Sequence, residues 1–171
     1  MSKANNLNST IMFTDIVGYS AMINKNQNHA LNLLSTHDSI IEPIISNYNG
    51  KIIKKIGDAI FAEFPNPLSS INTAIDVQSN LLTRNNISKP DDQIIIRIGL
   101  HMGEVIRKDN DLFGHDVNLC SRIESIAPKG GIAASSELVN SLDKKHDIFK
   151  REMGHVKLKN ITHPQKIYKI Y

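Results

Sequence analysis

The chain has 171 residues, 40% of them hydrophobic and 22% charged, which suits one globular domain over residues 1–171 and excludes a disordered or fibrous protein. The formal net charge of +3 is a mild excess spread along the chain; it favours an anionic ligand and gives no support to nucleic-acid binding. The single cysteine, Cys120, excludes an internal disulfide and makes a reducing compartment the simpler expectation.

No apolar stretch approaches the ~20 residues that span a bilayer. Met1 to Ser9 is polar and lacks the apolar core of a signal peptide. A soluble, cytoplasmic protein with no membrane partner and a flexible N-terminus over residues 1–9 is expected. With a first strand that begins almost at once, no sensor domain is expected upstream.

Thr10 to Val17 is a nearly unbroken apolar run holding Thr14 and Asp15, which predicts a central strand buried on both faces. A carboxylate there is costly to bury, so Asp15 needs a cationic or metallic partner. Gly18 breaks the strand. From Asn28 to Tyr48 the apolar residues recur at helical spacing, and Asn49-Gly50 ends that helix. Lys51 to Ile56 and Ala59 to Phe64 predict a tight hairpin about Gly57-Asp58. A helix should follow from about Leu68 to Leu82. A β-branched strand lies within Ile94 to Ile106, with Gly99 and Gly103 as points of bending or close backbone approach. After a polar turn at Lys108 to Asp111, a helix is predicted from His115 to Ala127, its core stripe made by Val117, Cys120, Ile123 and Ala127. A short strand at Ile132 to Ala134, a short helix at Ser136 to Leu142, and strands at Phe149 to Lys159 and Lys166 to Tyr171 close the chain. The order predicts an α+β fold with a ferredoxin-like βαββαβ core, extra C-terminal strands and helices, and one layer of helices on a mostly antiparallel sheet.

Asp15 and Asp58 are the first chemical candidates. Each stands at a strand end, and two carboxylates brought together repel unless a divalent cation lies between them. Together they could hold Mg²⁺ or Mn²⁺ against a triphosphate. The plain alternative is a turn aspartate at 58 and a helix-capping aspartate at 15. Asn118 and Arg122, four apart, share one helix face beside the apolar stripe, where an arginine can stabilise developing phosphate charge; a solvated polar face is the plain alternative. Lys54 stands in the strand before the hairpin turn, and Lys55 points to the other face. His101 and Cys120 have no histidine or cysteine partner at ligand spacing, so His101 reads as a packed or hydrogen-bonded strand residue and Cys120 as core.

Together these segments resemble one family. Phe13-Thr-Asp-Ile-Val-Gly-Tyr-Ser20 is similar to the first metal motif of the class III adenylyl and guanylyl cyclases. Lys54-Lys-Ile-Gly-Asp58 resembles their hairpin motif, Arg97-Ile-Gly-Leu-His-Met-Gly103 their central-strand motif, and Asp111 through Arg122 their purine and transition-state motif. The resemblance runs from about Thr10 to the C-terminus.

It implies that Asp15 and Asp58, with the backbone carbonyl of Ile16, bind two divalent metal ions, Mg²⁺ or Mn²⁺. It implies that Lys54 and Asp111 select the base, and a lysine donor with a carboxylate acceptor suits adenine, hence ATP. Asn118 would orient the ribose and Arg122 would contact the phosphate under attack. Arg97 and Lys159 would be further phosphate contacts, although the family usually has glycine where Asn160 follows Lys159. The resemblance also implies a homodimer, since one family subunit supplies the metal aspartates and its partner the base-selecting and transition-state residues. Regulation by a separate activator protein is compatible with this reading. The alternatives are a cyclase for GTP or a pyrimidine triphosphate, a silent nucleotide-binding regulatory domain, and an unrelated ferredoxin-like binding domain.

Overall fold

A computed structural model describes residues 5–171. They form an eight-stranded sheet built from β1 (Asn5–Ile16), β2 (Lys51–Ile56), β3 (Ala59–Phe64), β4 (Ile96–Lys108), β5 (Asp111–Phe113), β6 (Ile132–Ser135), β7 (Lys150–Val156) and β8 (Gln165–Ile170). The helices are α1 (Tyr19–Lys25), α2 (Gln27–Asn47), α3 (Pro67–Asn86), α4 (His115–Ile126) and α5 (Ser136–Asn140).

The sheet order is β2-β3-β1-β4-β6-β8-β7, with β5 paired to β4. Its first four strands are the expected ferredoxin-like core. Among the described residues β4 and β6 run parallel, and the other pairings are antiparallel. The hairpin of β2 and β3 falls where the sequence predicts it.

Two expectations are corrected. Residues 5–9 are not a loose N-terminus, because β1 starts at Asn5 and its ladder with β4 continues back to the Asn5–Arg107 pair. The long β4 supplies backbone partners that override the polar side chains of that segment; residues 1–4, also within the expected flexible stretch, lie outside the described residues. Helices also cover both sheet faces instead of one. Met12 and Ile16 of β1 join α2 and α3 residues such as Ile41, Ile45, Ile71 and Val77 in one core. Ile11 and Phe13, pointing the other way, pack with Cys120 of α4, and Phe13 stacks on Phe61 at 4.4 Å between centroids. A strand that is apolar on both faces requires cover on both. The α4 face is where the candidate site residues collect.

Candidate active site

The metal-ligand candidates meet at the end of β1. Asp58 lies in the β2–β3 turn, which Gly57 makes possible with φ of +60°. Its Oδ2 accepts a hydrogen bond from the Ile16 N–H at 2.8 Å, so the turn is tied to the residue after Asp15. Asp15 does not cap the next helix, because the N-cap of α1 is Gly18 and no side chain bonds there. Instead Asp15 Oδ1 is buried without a hydrogen-bond donor. Leaving a carboxylate oxygen buried and unserved is costly, and a divalent cation would serve it; the donor set is hard oxygen, as Mg²⁺ and Mn²⁺ prefer. Among the described residues no three or more His, Cys, Asp or Glu side chains converge as a metal cage. Asp15 and Asp58 would therefore need backbone or ligand oxygens to complete the coordination of a cation.

Glu124 of α4 is a functional candidate that sequence reasoning missed. It is only 7% exposed, and α4 approaches β4 so closely there that a Cβ on Gly99 would lie 2.3 Å from the Glu124 backbone nitrogen. Burial, then the neighbouring Asp15 carboxylate, push the Glu124 carboxyl up to about 8, partly opposed by Arg97. Glu124 Oε1 also lacks a donor. A proton on Glu124 bonded to Asp15 serves both orphaned oxygens at once. The signal was present in the helical spacing, since Glu124 follows Cys120 by four and precedes Ala127 by three, on the core stripe.

The second group lies around α4 and β5. Lys54 of β2 and Asp111 of β5 are separated by three strands in the sheet order, yet Lys54 Nζ donates to Asp111 Oδ2 at 2.8 Å. The sheet curls over the α4 face to bring them together. Lys54, in its hydrogen bond, holds the Asp111 carboxyl below its usual range, and the Leu112 N–H adds to this. Phe113 lies beneath the ammonium, 5.6 Å from ring centroid to Nζ. Lys55, on the other face, pairs with Asp38 and Glu42 of α2. Asn118 is exposed and Arg122 half-buried. Among the described residues neither side chain is held by a hydrogen bond or ion pair, so both are free to meet a ligand.

Arg97 stands directly opposite Asp15 in the β1–β4 ladder, and its Nε donates to the Ala127 carbonyl at 3.1 Å. It braces the end of α4 beside the metal-ligand candidates. Lys159 is exposed in the loop after β7. Asn160 beside it has φ of +61°, a left-handed conformation that glycine adopts freely and asparagine tolerates best among the rest. The departure from glycine thus keeps the backbone shape. Cys120 is fully buried, and burial pushes its thiol far up, consistent with a core role.

The fold is an α+β domain that gathers Asp15 and Asp58 at one strand end and pairs Lys54 with Asp111. The chain belongs to the adenylate and guanylate cyclase catalytic domain family, which it matches over residues 1–171. It is 30% identical over 162 residues to a putative adenylate cyclase 3 of Rhizobium meliloti, covering 94% of this chain and 27% of that protein. It is 26% identical over 164 residues to the serine/threonine-protein kinase pkn2 of Myxococcus xanthus, covering 95% of this chain and 20% of that one. The chain thus spans about a quarter or less of the length of these relatives. A crystal structure of an adenylate/guanylate cyclase/hydrolase from Silicibacter pomeroyi superposes with a TM-score of 0.90 at 27% identity, covering 98% of both chains. No helix among the described residues is long and apolar enough to cross a membrane.

Proposed function

We propose that this domain is an adenylate cyclase that converts ATP into 3′,5′-cyclic AMP and pyrophosphate in a homodimer. The observation that carries the choice of base is the Lys54–Asp111 pair at 2.8 Å. A lysine ammonium donates to adenine N1 and a carboxylate accepts from the 6-amino group; guanine presents the opposite pattern. Without nucleotide the two half-buried groups satisfy each other, a pair worth about 1 kcal/mol, so adenine displaces a weak contact.

Asp15, Asp58 and the Ile16 carbonyl would hold the divalent cations, which would lower the pKa of the ribose 3′-hydroxyl and neutralise charge on the triphosphate. Asn118 orients the ribose so that the 3′-oxygen faces the α-phosphorus in line with the leaving group. The 3′-hydroxyl gives its proton to solvent water, the new 3′-O–P bond forms as the bond from α-phosphorus to the bridging oxygen breaks, and pyrophosphate leaves with that electron pair. Arg122, free of protein partners, stabilises the charge gathering on the phosphate oxygens. Lys159 and Arg97 would be further contacts to the phosphates. The family resemblance assigns Asp15 and Asp58 to one subunit of a site and Lys54, Asp111, Asn118 and Arg122 to its partner, so two copies facing each other would complete two equivalent sites. The putative adenylate cyclase 3 among the relatives supports ATP as substrate.

The test is a turnover assay with Mn²⁺ or Mg²⁺ and each of ATP, GTP, CTP and UTP, the cyclic products resolved by chromatography. Cyclic AMP from ATP is expected. A different cyclic product overturns the base assignment, and no product from a verified dimer overturns the catalytic reading.

A further inference from the structure

His101 of β4 is 1% exposed and is bonded on both ring nitrogens. Its Nδ1 lies 2.7 Å from Ser135 Oγ, and its Nε2 lies 2.8 Å from Asp116 Oδ1. Ser135 also accepts from the Leu138 N–H, as the N-cap of α5. One tautomer satisfies every group: Ser135 Oγ–H donates to Nδ1, and Nε2–H donates to the carboxylate. The other Asp116 oxygen accepts from the Glu104 N–H at 2.8 Å. Gly103 gives the carboxylate its room, since a Cβ there would lie 2.4 Å from Asp116 Cγ.

A serine, a histidine and an aspartate in series also suggest a nucleophile. Ser135 is only 1% exposed, and its oxygen is committed on both sides, so no substrate reaches it. The chain of bonds instead joins three elements: β4 through His101, α4 through Asp116, and the β6–α5 junction through Ser135. The first turn of α4 needs such a hold, because its N-cap is Gly114 and carries no side-chain cap. The far end of α4 is held separately, by the Gly99–Glu124 contact and the Arg97 bond to Ala127. Asn118 and Arg122 lie between these two anchors, and their side chains have no anchors of their own.

We propose that His101 is a positioning residue that fixes the first turn of α4 through Asp116 and so sets the reach of Asn118 and Arg122 toward the nucleotide. Its catalytic consequence rests on the cyclase activity proposed above. A misplaced helix weakens contacts made in the transition state more than those made on binding, so the loss falls on kcat.

The test compares His101→Leu, His101→Gln and Asp116→Ala with the unaltered protein, measuring kcat and KM for ATP, thermal midpoint, and amide hydrogen exchange by element. His101→Leu is expected to lower kcat about 10–100-fold, the range typical of supporting shells, with KM little changed and faster exchange confined to α4. His101→Gln, whose amide nitrogen can still donate to Asp116, is expected to recover much of that loss. Asp116→Ala, which also loses the Glu104 bond, should cost at least as much as His101→Leu, and the two together no more than Asp116→Ala alone; if His101→Leu does not fold, Asp116→Ala and His101→Gln decide the matter. Equal losses for Leu and Gln, a loss carried by KM, additive losses, or faster exchange throughout the sheet would overturn the proposal. If the unaltered protein makes no cyclic nucleotide, the cyclase reading fails by itself. Exchange confined to α4 then still supports the positioning of the helix, and uniform exchange overturns it.

Discussion

Asp58 Oδ2 accepts the Ile16 N–H at 2.8 Å, which ties the β2–β3 turn to the end of the central strand. The bond uses one carboxylate oxygen and leaves the other, with Asp15, for the proposed cation. Asp58→Asn keeps an acceptor for Ile16 but loses the charge. Turnover should fall at least ~100-fold, as for other removed charge-stabilising groups, with a thermal midpoint within about 4 °C of the original, as for a change of less than 1 kcal/mol. Asp15→Asn should behave alike. Calorimetric titration of Mn²⁺ and a melting curve check both, and near-normal metal-dependent activity would sink the ligand assignment.

The proposed shared-site homodimer predicts complementation. Asp15→Asn and Arg122→Ala chains should each be inactive alone. A verified mixed dimer should regain up to about half the original activity per dimer, since one of two symmetric sites is rebuilt. Absence of recovery would argue for sites completed within one chain.

Base choice is predicted to follow the Lys54–Asp111 pair. Replacing both, Lys54→Glu with Asp111→Asn, offers guanine an acceptor for N1–H and a donor for its carbonyl. Two reversed hydrogen bonds should move the GTP-to-ATP ratio of kcat/KM by about 100-fold or more. Competition assays measure this, and an unmoved ratio would place base selection elsewhere.

Glu124 gives a pH prediction for the metal-free protein. Its carboxyl is raised from the ordinary 4.5 to about 8 by burial and the Asp15 charge. Between those values the folded state holds a proton that the unfolded state has released, so stability is full below about pH 4.5 and is lost as pH rises through about 8. Glu124→Gln should flatten that decline and be relatively more stable at pH 9 than at pH 5. Urea unfolding in EDTA at several pH values tests it; parallel curves for the two proteins would contradict it.

Gly99 predicts a packing effect. A Cβ there would sit 2.3 Å from a helix backbone atom rather than a movable side-chain tip. Gly99→Ala should therefore cost about 1–3 kcal/mol, as overpacking does, and lower turnover by shifting α4. Urea unfolding together with the cyclase assay checks both parts.

The sequence by itself determined much of this protein. Local signals placed the β2–β3 hairpin, because Gly57-Asp58 between two strand-like runs leaves a chain few other choices. The family motifs named Asp15, Asp58, Lys54, Asp111, Asn118 and Arg122. The α1 helix was not legible, because it buries no residue fully and so shows no apolar stripe. The three-residue β5 was not legible either, because it exists by pairing with β4. Only the tertiary structure decided that helices cover both faces, that Lys54 meets Asp111 across three intervening strands, and that Glu124 lies against Asp15. It also decided that His101 joins Asp116 to Ser135, residues 15 and 34 positions away. These relations depend on sheet curl and close approach between distant segments, and local propensity carries no information about either.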